Sequence, residues 1–183
     1  MMREDIGLEP FTGRTFTMPS AQEQEAPVAP ELSSRRLRAS VVVPTYNSAD
    51  TLVACLDALI AQDFPHDEYE IVIVDDGSHD NTADVVGRYG RGTPPVSYVR
   101  QPNQGPASAR NLGAQRARGE ILVFTDADCV PERNWLTEMC RPFAESNGQV
   151  SAVKGAYRTR QKSVVAKFAQ LEFESRYRKL LES

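Results

Sequence analysis

The sequence lacks long apolar runs. No stretch reaches the roughly 18 consecutive apolar residues of a transmembrane helix, so we expect no membrane-spanning helix. The amino terminus, MMREDIGLEPFTG, has no apolar core, so we expect no secretion signal. Together with three widely spaced cysteines, which suit reduced thiols in a cytosolic protein, these absences predict a cytoplasmic protein.

Cysteine is also scarce. The three cysteines, Cys55, Cys129 and Cys140, are widely spaced and odd in number, which argues against a disulfide framework and against a zinc site. Cys129 stands beside acidic residues and is a candidate nucleophile. A neighbouring carboxylate disfavours the thiolate, however, so the favoured interpretation is a small residue that fits its surroundings.

Charge of one sign does not dominate. A net charge of -4 offers no overall attraction to nucleic acid, and 183 residues with 40% hydrophobic content suit one domain with a core. The segment 158–183 is basic, with seven Lys/Arg against three Glu, and its apolar residues recur at helical spacing. Core packing is the default interpretation of that helix; peripheral contact with a membrane surface or a lipid-linked acceptor is the alternative.

The chain divides into a predicted tail and a predicted domain. Residues 1–38 are rich in Pro, Gln, Glu and Ser, which predicts disorder. From 39 to 183, short apolar strands alternate with helical patterns. The predicted strands are SVVV, YEIVIVD, VSYV and EILVFTD, with a fifth at VSAVKGAYR. This order predicts an α/β fold with a mainly parallel sheet and helices on both faces.

Polar residues follow three of the predicted strands. PTYN follows the first strand, DDGS the second, and Asp126 and Asp128 the fourth. In open parallel sheets, ligands bind outside the carboxyl ends of the strands, where the winding reverses. We therefore expect a ligand site at this edge.

The Asp126-x-Asp128 pair is a candidate metal site. Alternate residues of an extended segment share one side, and carboxylate oxygens suit Mg²⁺ or Mn²⁺. Substrate phosphates often complete the shell of Mg²⁺, and the cation would neutralise a leaving diphosphate. For the motif alone, an acidic loop is the competing interpretation.

The other polar residues suggest a nucleotide. Asp75 or Asp76 could accept hydrogen bonds from a nucleoside, and Tyr46 could stack on a base. Gly105 would let backbone approach a ligand, and Arg110 could pair with phosphate. Ordinary turns, a surface tyrosine and an exposed helical arginine are the alternatives.

Four segments, in order, resemble glycosyltransferase family 2 with the GT-A fold: VVVPTYN, IVIVDDGSHDNT, NQGPASARNLGA and GEILVFTDADC. The resemblance covers residues 39–155 and implies a nucleotide-sugar donor, often a UDP-sugar. It implies that Asp76 contacts the base while Asp75 turns inward, that Asp126 lies near the ribose and the metal, and that Asp128 binds Mn²⁺ or Mg²⁺ directly. The other implied nucleotide-site residues are Pro44, Thr45, Tyr46, Asn47, Gly105, Arg110, Asn111 and Ala127.

The implied chemistry is attack of an acceptor hydroxyl on the anomeric carbon, with inversion. The acceptor would be a glycan or a lipid-linked molecule, as in cell-envelope polysaccharide synthesis. The family places its general base, an Asp, well downstream of the DxD motif, yet no Asp follows Asp128. We therefore interpret residues 39–183 as a domain truncated on its acceptor side, with the base unassigned; Glu172 and Glu174 are weak substitutes.

Three other functions compete with an active transferase. A non-catalytic nucleotide-sugar-binding fragment would explain the missing Asp. A receiver-like signalling domain would explain VIVDD, but it leaves PTYN and the DxD pair unexplained and needs an Asp after the third strand. A nucleotidyltransferase would need a glycine-rich, basic loop after the first strand, and PTYN is neither.

Overall fold

The computed structural model describes residues 37–155, in which strands and helices alternate. The predicted tail up to residue 36 and the predicted basic helix lie outside the described residues. The elements are β1 (Ala39–Thr45), α1 (Ala49–Ile60), β2 (Tyr69–Asp75), α2 (Thr82–Gly87), β3 (Val96–Arg100), α3 (Pro106–Arg116), β4 (Ile121–Phe124) and α4 (Trp135–Glu145).

The four strands form one parallel sheet in the order β3-β2-β1-β4. The chain moves outward from β1 through β2 to β3, and then returns to the other side of β1 as β4. The winding therefore reverses between β1 and β4, where a ligand crevice is expected. The predicted parallel sheet is confirmed.

Both faces of the sheet carry helices. β1 and β2 are buried along their whole length, which suits their β-branched sequences in a sheet covered on both sides. Val41, Val43 and Ile73 face a cluster that also includes buried residues of α1, α2 and α4. Val42, Val72 and Val74 face the other way and pack against Ala109 and Leu112 of α3.

α3 lies directly on the sheet because Gly113 has no side chain. A Cβ on Gly113 would lie 2.2 Å from Val42 Cγ1 and 3.1 Å from Val74 Cγ2. Any larger residue would have to push the helix away. The backbone of α3, which carries Arg110 one turn earlier, is therefore held at a fixed height above the strands.

β4 is less buried than its sequence predicts. Of the apolar run Ile121–Phe124, only Val123 is fully buried; Leu122 is 42% exposed and Phe124 is 40% exposed. The reason is position: within residues 37–155, β4 is an edge strand, and α3 packs over β1 and β2 instead. Hydrophobicity alone could not distinguish an edge strand from a central one.

Two element predictions were wrong. The helix expected to start near Pro131 begins at Trp135, because Asn134 takes the N-cap position. The described part of the expected fifth strand, residues 150–155, forms no strand. Gly155 instead lies close to α4, where an added Cβ would be 3.4 Å from Met139 Sδ.

At the amino edge of the sheet, the buried Glu70 finds its partners within the protein. Its carboxylate lies 2.6 Å from Arg118 Nη2 and accepts a 2.7 Å hydrogen bond from the Ser40 hydroxyl. A buried charge that is paired and hydrogen-bonded in this way serves the fold. At the carboxyl edge of the sheet, in contrast, acidic side chains line an open cleft.

Candidate functional site

A cleft of about 380 Å³ lies at the carboxyl edge, where the winding reverses. Its volume falls within the usual range for small-molecule sites. It is formed by the ends of β1, β2 and β4 and the start of α3. The lining residues are Pro44, Thr45, Tyr46, Asp76, Asn103, Gly105, Pro106, Ala109, Arg110 and Asp126.

Most of the predicted nucleotide-site residues meet in this cleft. Those on its lining are Pro44, Thr45, Tyr46, Asp76, Gly105, Arg110 and Asp126. Three others are not on the lining. Ala127 is buried in the hydrophobic core, Asn111 is exposed on α3, and Asn47 holds two loops together.

Asn47 links the loop after β1 to the loop after β2. Its backbone N–H donates to Ser78 Oγ at 2.9 Å, and its side-chain oxygen accepts from the His79 N–H at 2.8 Å. Its φ of 47° lies in the left-handed region that asparagine tolerates better than most residues. Asn47 thus positions the two loops that carry Tyr46 and Asp76.

Asp75 points into the protein and is 1% exposed. It accepts hydrogen bonds from the Ser78 N–H, at 2.7 Å, and from the Tyr98 hydroxyl. Burial, and then the hydrogen bond to Asp75, raise the pKa of Tyr98, so the phenol remains a protonated donor. Asp75 therefore braces the turn between β2 and α2.

Asp76 lines the cleft but is only 4% exposed. Its carboxylate accepts hydrogen bonds from Gln101 Nε2 at 2.7 Å and from the N–H groups of Gln104 and Gly105, both at 2.8 Å. Burial alone would raise the pKa of Asp76, but these three donors outweigh it and lower the pKa, so the carboxylate stays ionised. About four acceptor positions exist on a carboxylate, which leaves one for a ligand.

The acidic groups after β4 are more open. The side chain of Asp126 is 48% exposed and pairs with Arg110, whose Nη2 lies 2.6 Å from Asp126 Oδ1. Asp128 is exposed. One ligand atom from each of Asp126, Asp128 and Cys129 fits within a mutual distance of 4.8 Å.

This donor set fits a divalent cation. Oxygens that share one Mg²⁺ at about 2.1 Å lie roughly 3–4 Å apart, which small side-chain rotations would achieve here. Burial raises the pKa of Cys129, which keeps its thiol protonated, and Mg²⁺ and Mn²⁺ prefer oxygen. Asp126 and Asp128 are therefore the residues that would hold the ion. The raised pKa of Cys129 also disfavours the nucleophile hypothesis.

Thr45 has an unsatisfied hydroxyl. Its oxygen is buried and has no hydrogen-bond partner within the part of the chain that the structure describes. Thr45 also lines the cleft at the end of β1. An unpaired buried polar atom beside a cleft carries a free-energy cost that a ligand could relieve.

Sequence reasoning missed the contribution of the segment after β3. Gln101 holds Asp76, and Asn103, Pro106 and Ala109 line the cleft. A signal existed: QPNQ follows the third predicted strand, at the same edge as PTYN and DDGS. The amides of this segment had no predicted role.

The parallel sheet and the acidic cleft at its carboxyl edge define an α/β domain of the GT-A type. Residues 40–181 match the sequence profile described as Glycosyl transferase family 2. The chain belongs to this family. Among residues 37–155, no helix is long and apolar enough to cross a membrane.

Curated relatives are glycosyltransferases. Glycosyltransferase AglE of Haloferax volcanii is 36% identical over 98 residues, which cover 53% of this chain and 32% of the relative. The poly(ribitol-phosphate) beta-N-acetylglucosaminyltransferase TarS of Staphylococcus aureus is 34% identical over 119 residues, covering 64% and 21%. The matched regions thus span a third or less of the length of these relatives.

Solved structures show the same fold. TarS 1-349 of S. aureus in complex with UDP-GlcNAc is 30% identical, with a TM-score of 0.58, and the match covers 69% of this chain and 39% of that one. The mannosyltransferase PcManGT of Pyrobaculum calidifontis, in complex with GDP-Man and Mn²⁺, is 37% identical, with a TM-score of 0.56 and coverages of 61% and 34%. Both structures thus contain a nucleotide sugar, and one also contains a divalent metal.

Proposed function

We propose that this chain carries the donor site of a divalent-metal-dependent, inverting glycosyltransferase that uses a nucleotide sugar, with a UDP-sugar as the first candidate. The observation that carries the proposal is the meeting of Tyr46, Asp76, Arg110 and Asp126 in one cleft at the reversal of the sheet. The cleft brings together groups that could stack on a base, accept hydrogen bonds, pair with phosphate and bind a metal. These groups match the parts of a nucleotide sugar.

Each residue has a proposed role. Tyr46, 45% exposed at the cleft, stacks on the base, and Asp76 uses its remaining acceptor position for a base N–H. Arg110 pairs with the diphosphate, while Asp126 and Asp128 hold Mg²⁺ or Mn²⁺. The bound cation would neutralise the negative charge that develops on the leaving diphosphate.

The reaction would break the bond between the anomeric carbon and the diphosphate oxygen and form a bond from that carbon to an acceptor oxygen. The acceptor proton requires a general base. Neither carboxylate on the cleft lining is free for that role, since three donors and the proposed base N–H occupy Asp76, and Asp126 is assigned to the proposed metal. A glycan or lipid-linked acceptor, in cell-envelope polysaccharide synthesis, and a cytoplasmic location remain part of this proposal.

A non-catalytic nucleotide-sugar-binding role is the second candidate. Its support is that neither carboxylate on the cleft lining, Asp76 or Asp126, is free to act as a general base. Both candidates require the same donor site, so they differ in turnover and not in binding.

The deciding experiment is calorimetry of UDP binding, with and without Mn²⁺. We expect Mn²⁺-dependent binding to the wild-type chain and its loss in Asp128→Asn. Asp84→Asn, which removes an exposed carboxylate on α2, is the matched control and should bind normally. Failure of UDP, GDP and dTDP to bind under any metal condition would refute the proposal; binding without hydrolysis or transfer would favour the second candidate.

A further inference from the structure

Arg110 and the proposed metal have a common target, the carboxylate of Asp126. We propose that the guanidinium of Arg110 and the divalent metal ion compete for Asp126. When the donor binds, the metal ion replaces the guanidinium at this carboxylate. The inference rests on the proposed function, because the metal and the diphosphate are the ligands of that function.

The guanidinium of Arg110 already contacts one of the two oxygens of the Asp126 carboxylate. Arg110 Nη2 lies 2.6 Å from Asp126 Oδ1, a short charge-assisted contact. A divalent ion on the same carboxylate would lie a few ångströms from the guanidinium. Two positive charges at such a separation repel each other, and the double charge of the ion strengthens the repulsion. Each cation would therefore weaken the binding of the other to this carboxylate.

The packing of α3 allows the exchange. The backbone near Arg110 is fixed, since Ala109 is fully buried and Gly113 rests on Val42. The Arg110 side chain, in contrast, is 37% exposed and ends in the open cleft. The guanidinium can therefore leave Asp126 without any movement of the helix.

The cleft supplies the second partner. Arg110 lines the same cleft as Tyr46 and Asp76, so a nucleotide held there would bring its diphosphate to the guanidinium. Arginine binds phosphate with paired hydrogen bonds, which would replace the contact with Asp126. The nucleotide would thus release Asp126 for the metal, and the metal and the nucleotide would bind cooperatively.

The test of this exchange is the affinity of the full chain for Mn²⁺ in the absence of nucleotide, measured by electron paramagnetic resonance. We expect Arg110→Gln to tighten Mn²⁺ binding about 5- to 150-fold, the range typical of coupled sites. In the Asp126→Asn background the same change should have an effect of about twofold or less, because the contested carboxylate is gone.

Two further variants serve as controls. Arg116→Gln removes a positive charge from the same helix outside the cleft lining and should change Mn²⁺ affinity by about twofold or less. Arg110→Lys keeps the charge but loses the planar fork, so it should fall between wild type and Arg110→Gln. With UDP present, wild type should gain Mn²⁺ affinity, and Arg110→Gln should lose most of that gain.

Two results would overturn the exchange while leaving the donor site intact. One is an unchanged Mn²⁺ affinity in Arg110→Gln when wild type binds both Mn²⁺ and UDP. The other is an equal tightening in the Asp126→Asn background, which would show general charge repulsion and no competition for one group. Absence of Mn²⁺ and UDP binding in wild type would instead refute the proposed function, and the exchange with it.

Discussion

Two acidic pairs at the carboxyl edge of the sheet look alike in sequence and differ in structure. Asp75 and Asp76, after β2, are 1% and 4% exposed and together accept five hydrogen bonds. Asp126 and Asp128, after β4, are open, and Asp126 has one charged partner. The first pair is held by hydrogen bonds within the fold, whereas the second is largely exposed.

The difference follows from strand position. β2 lies inside the sheet, between β1 and β3, so its end is surrounded by the loops that follow both neighbours. β4 has only β1 beside it within residues 37–155. A carboxylate at an interior strand end finds backbone N–H groups, while one at the edge finds solvent and the long side chain of Arg110.

Asp76→Asn should produce the largest loss of stability. The amide cannot accept hydrogen bonds from all three of the donors that now point at the carboxylate. We expect the free energy of unfolding to fall by about 3–5 kcal/mol, because one hydrogen bond to a charged group is lost and the other two become weaker, neutral ones. Urea unfolding measures this, and a loss below about 1 kcal/mol would mean that Asp76 does not brace the loop.

The acid limb of the stability curve provides the check on Asp76→Asn. The folded-state pKa of Asp76 is lowered, so its contribution is present above the unfolded pKa of about 3.9 and is lost as pH falls through the folded value. Wild-type stability should therefore drop with acidification below about pH 4 more steeply than that of Asp76→Asn, which cannot titrate at this position.

Tyr98→Phe should have an intermediate effect on the same loop. It removes the hydroxyl that donates to the buried Asp75 and leaves the ring in place. We expect a loss of about 1–3 kcal/mol, because a buried carboxylate oxygen loses a partner. Thermal unfolding would reveal it, and unchanged Mn²⁺ binding in the folded variant would show that the two acidic pairs are independent.

Asp128→Asn should have the smallest effect on stability. The side chain is exposed, and the loss of its negative charge relieves repulsion with Asp126. The free energy of unfolding should therefore change by no more than about 0.5 kcal/mol. The same variant should lose Mn²⁺ binding, as proposed above. A substantial destabilisation here would contradict the division of the two acidic pairs into bracing and ligand-binding groups.

Sequence periodicity was sufficient for the architecture. The β-branched runs of β1 and β2 and the alternation with helices predicted the parallel sheet, and the strand ends predicted where polar chemistry would gather. The degree of exposure of β4 could not be predicted in this way, because Leu122 and Phe124 are as apolar as their buried counterparts in β2. The burial of an edge strand depends on which other elements pack against it, and the local sequence pattern does not encode that packing.

The site was predictable where a side chain faces the cleft and unpredictable where it faces another loop. Tyr46 and Arg110 line the cleft as expected. Asn47 belongs to the same short motif as Tyr46 but bonds across to Ser78 and His79, 31 and 32 residues away. Such long-range pairing, like that of Gln101 with Asp76, depends on the tertiary structure and has no local signature.

The close packing of Gly113 against Val42 has a consequence for genetic screens. A methyl group at residue 113 would meet Val42 Cγ1 at 2.2 Å, so the helix would have to shift, and Arg110 and Gly105 would shift with it. A random screen for donor-binding defects would then recover substitutions at Gly113, a buried position that lies outside the cleft lining. The positions recovered in such a screen would include residues that support the site from below as well as residues that line it.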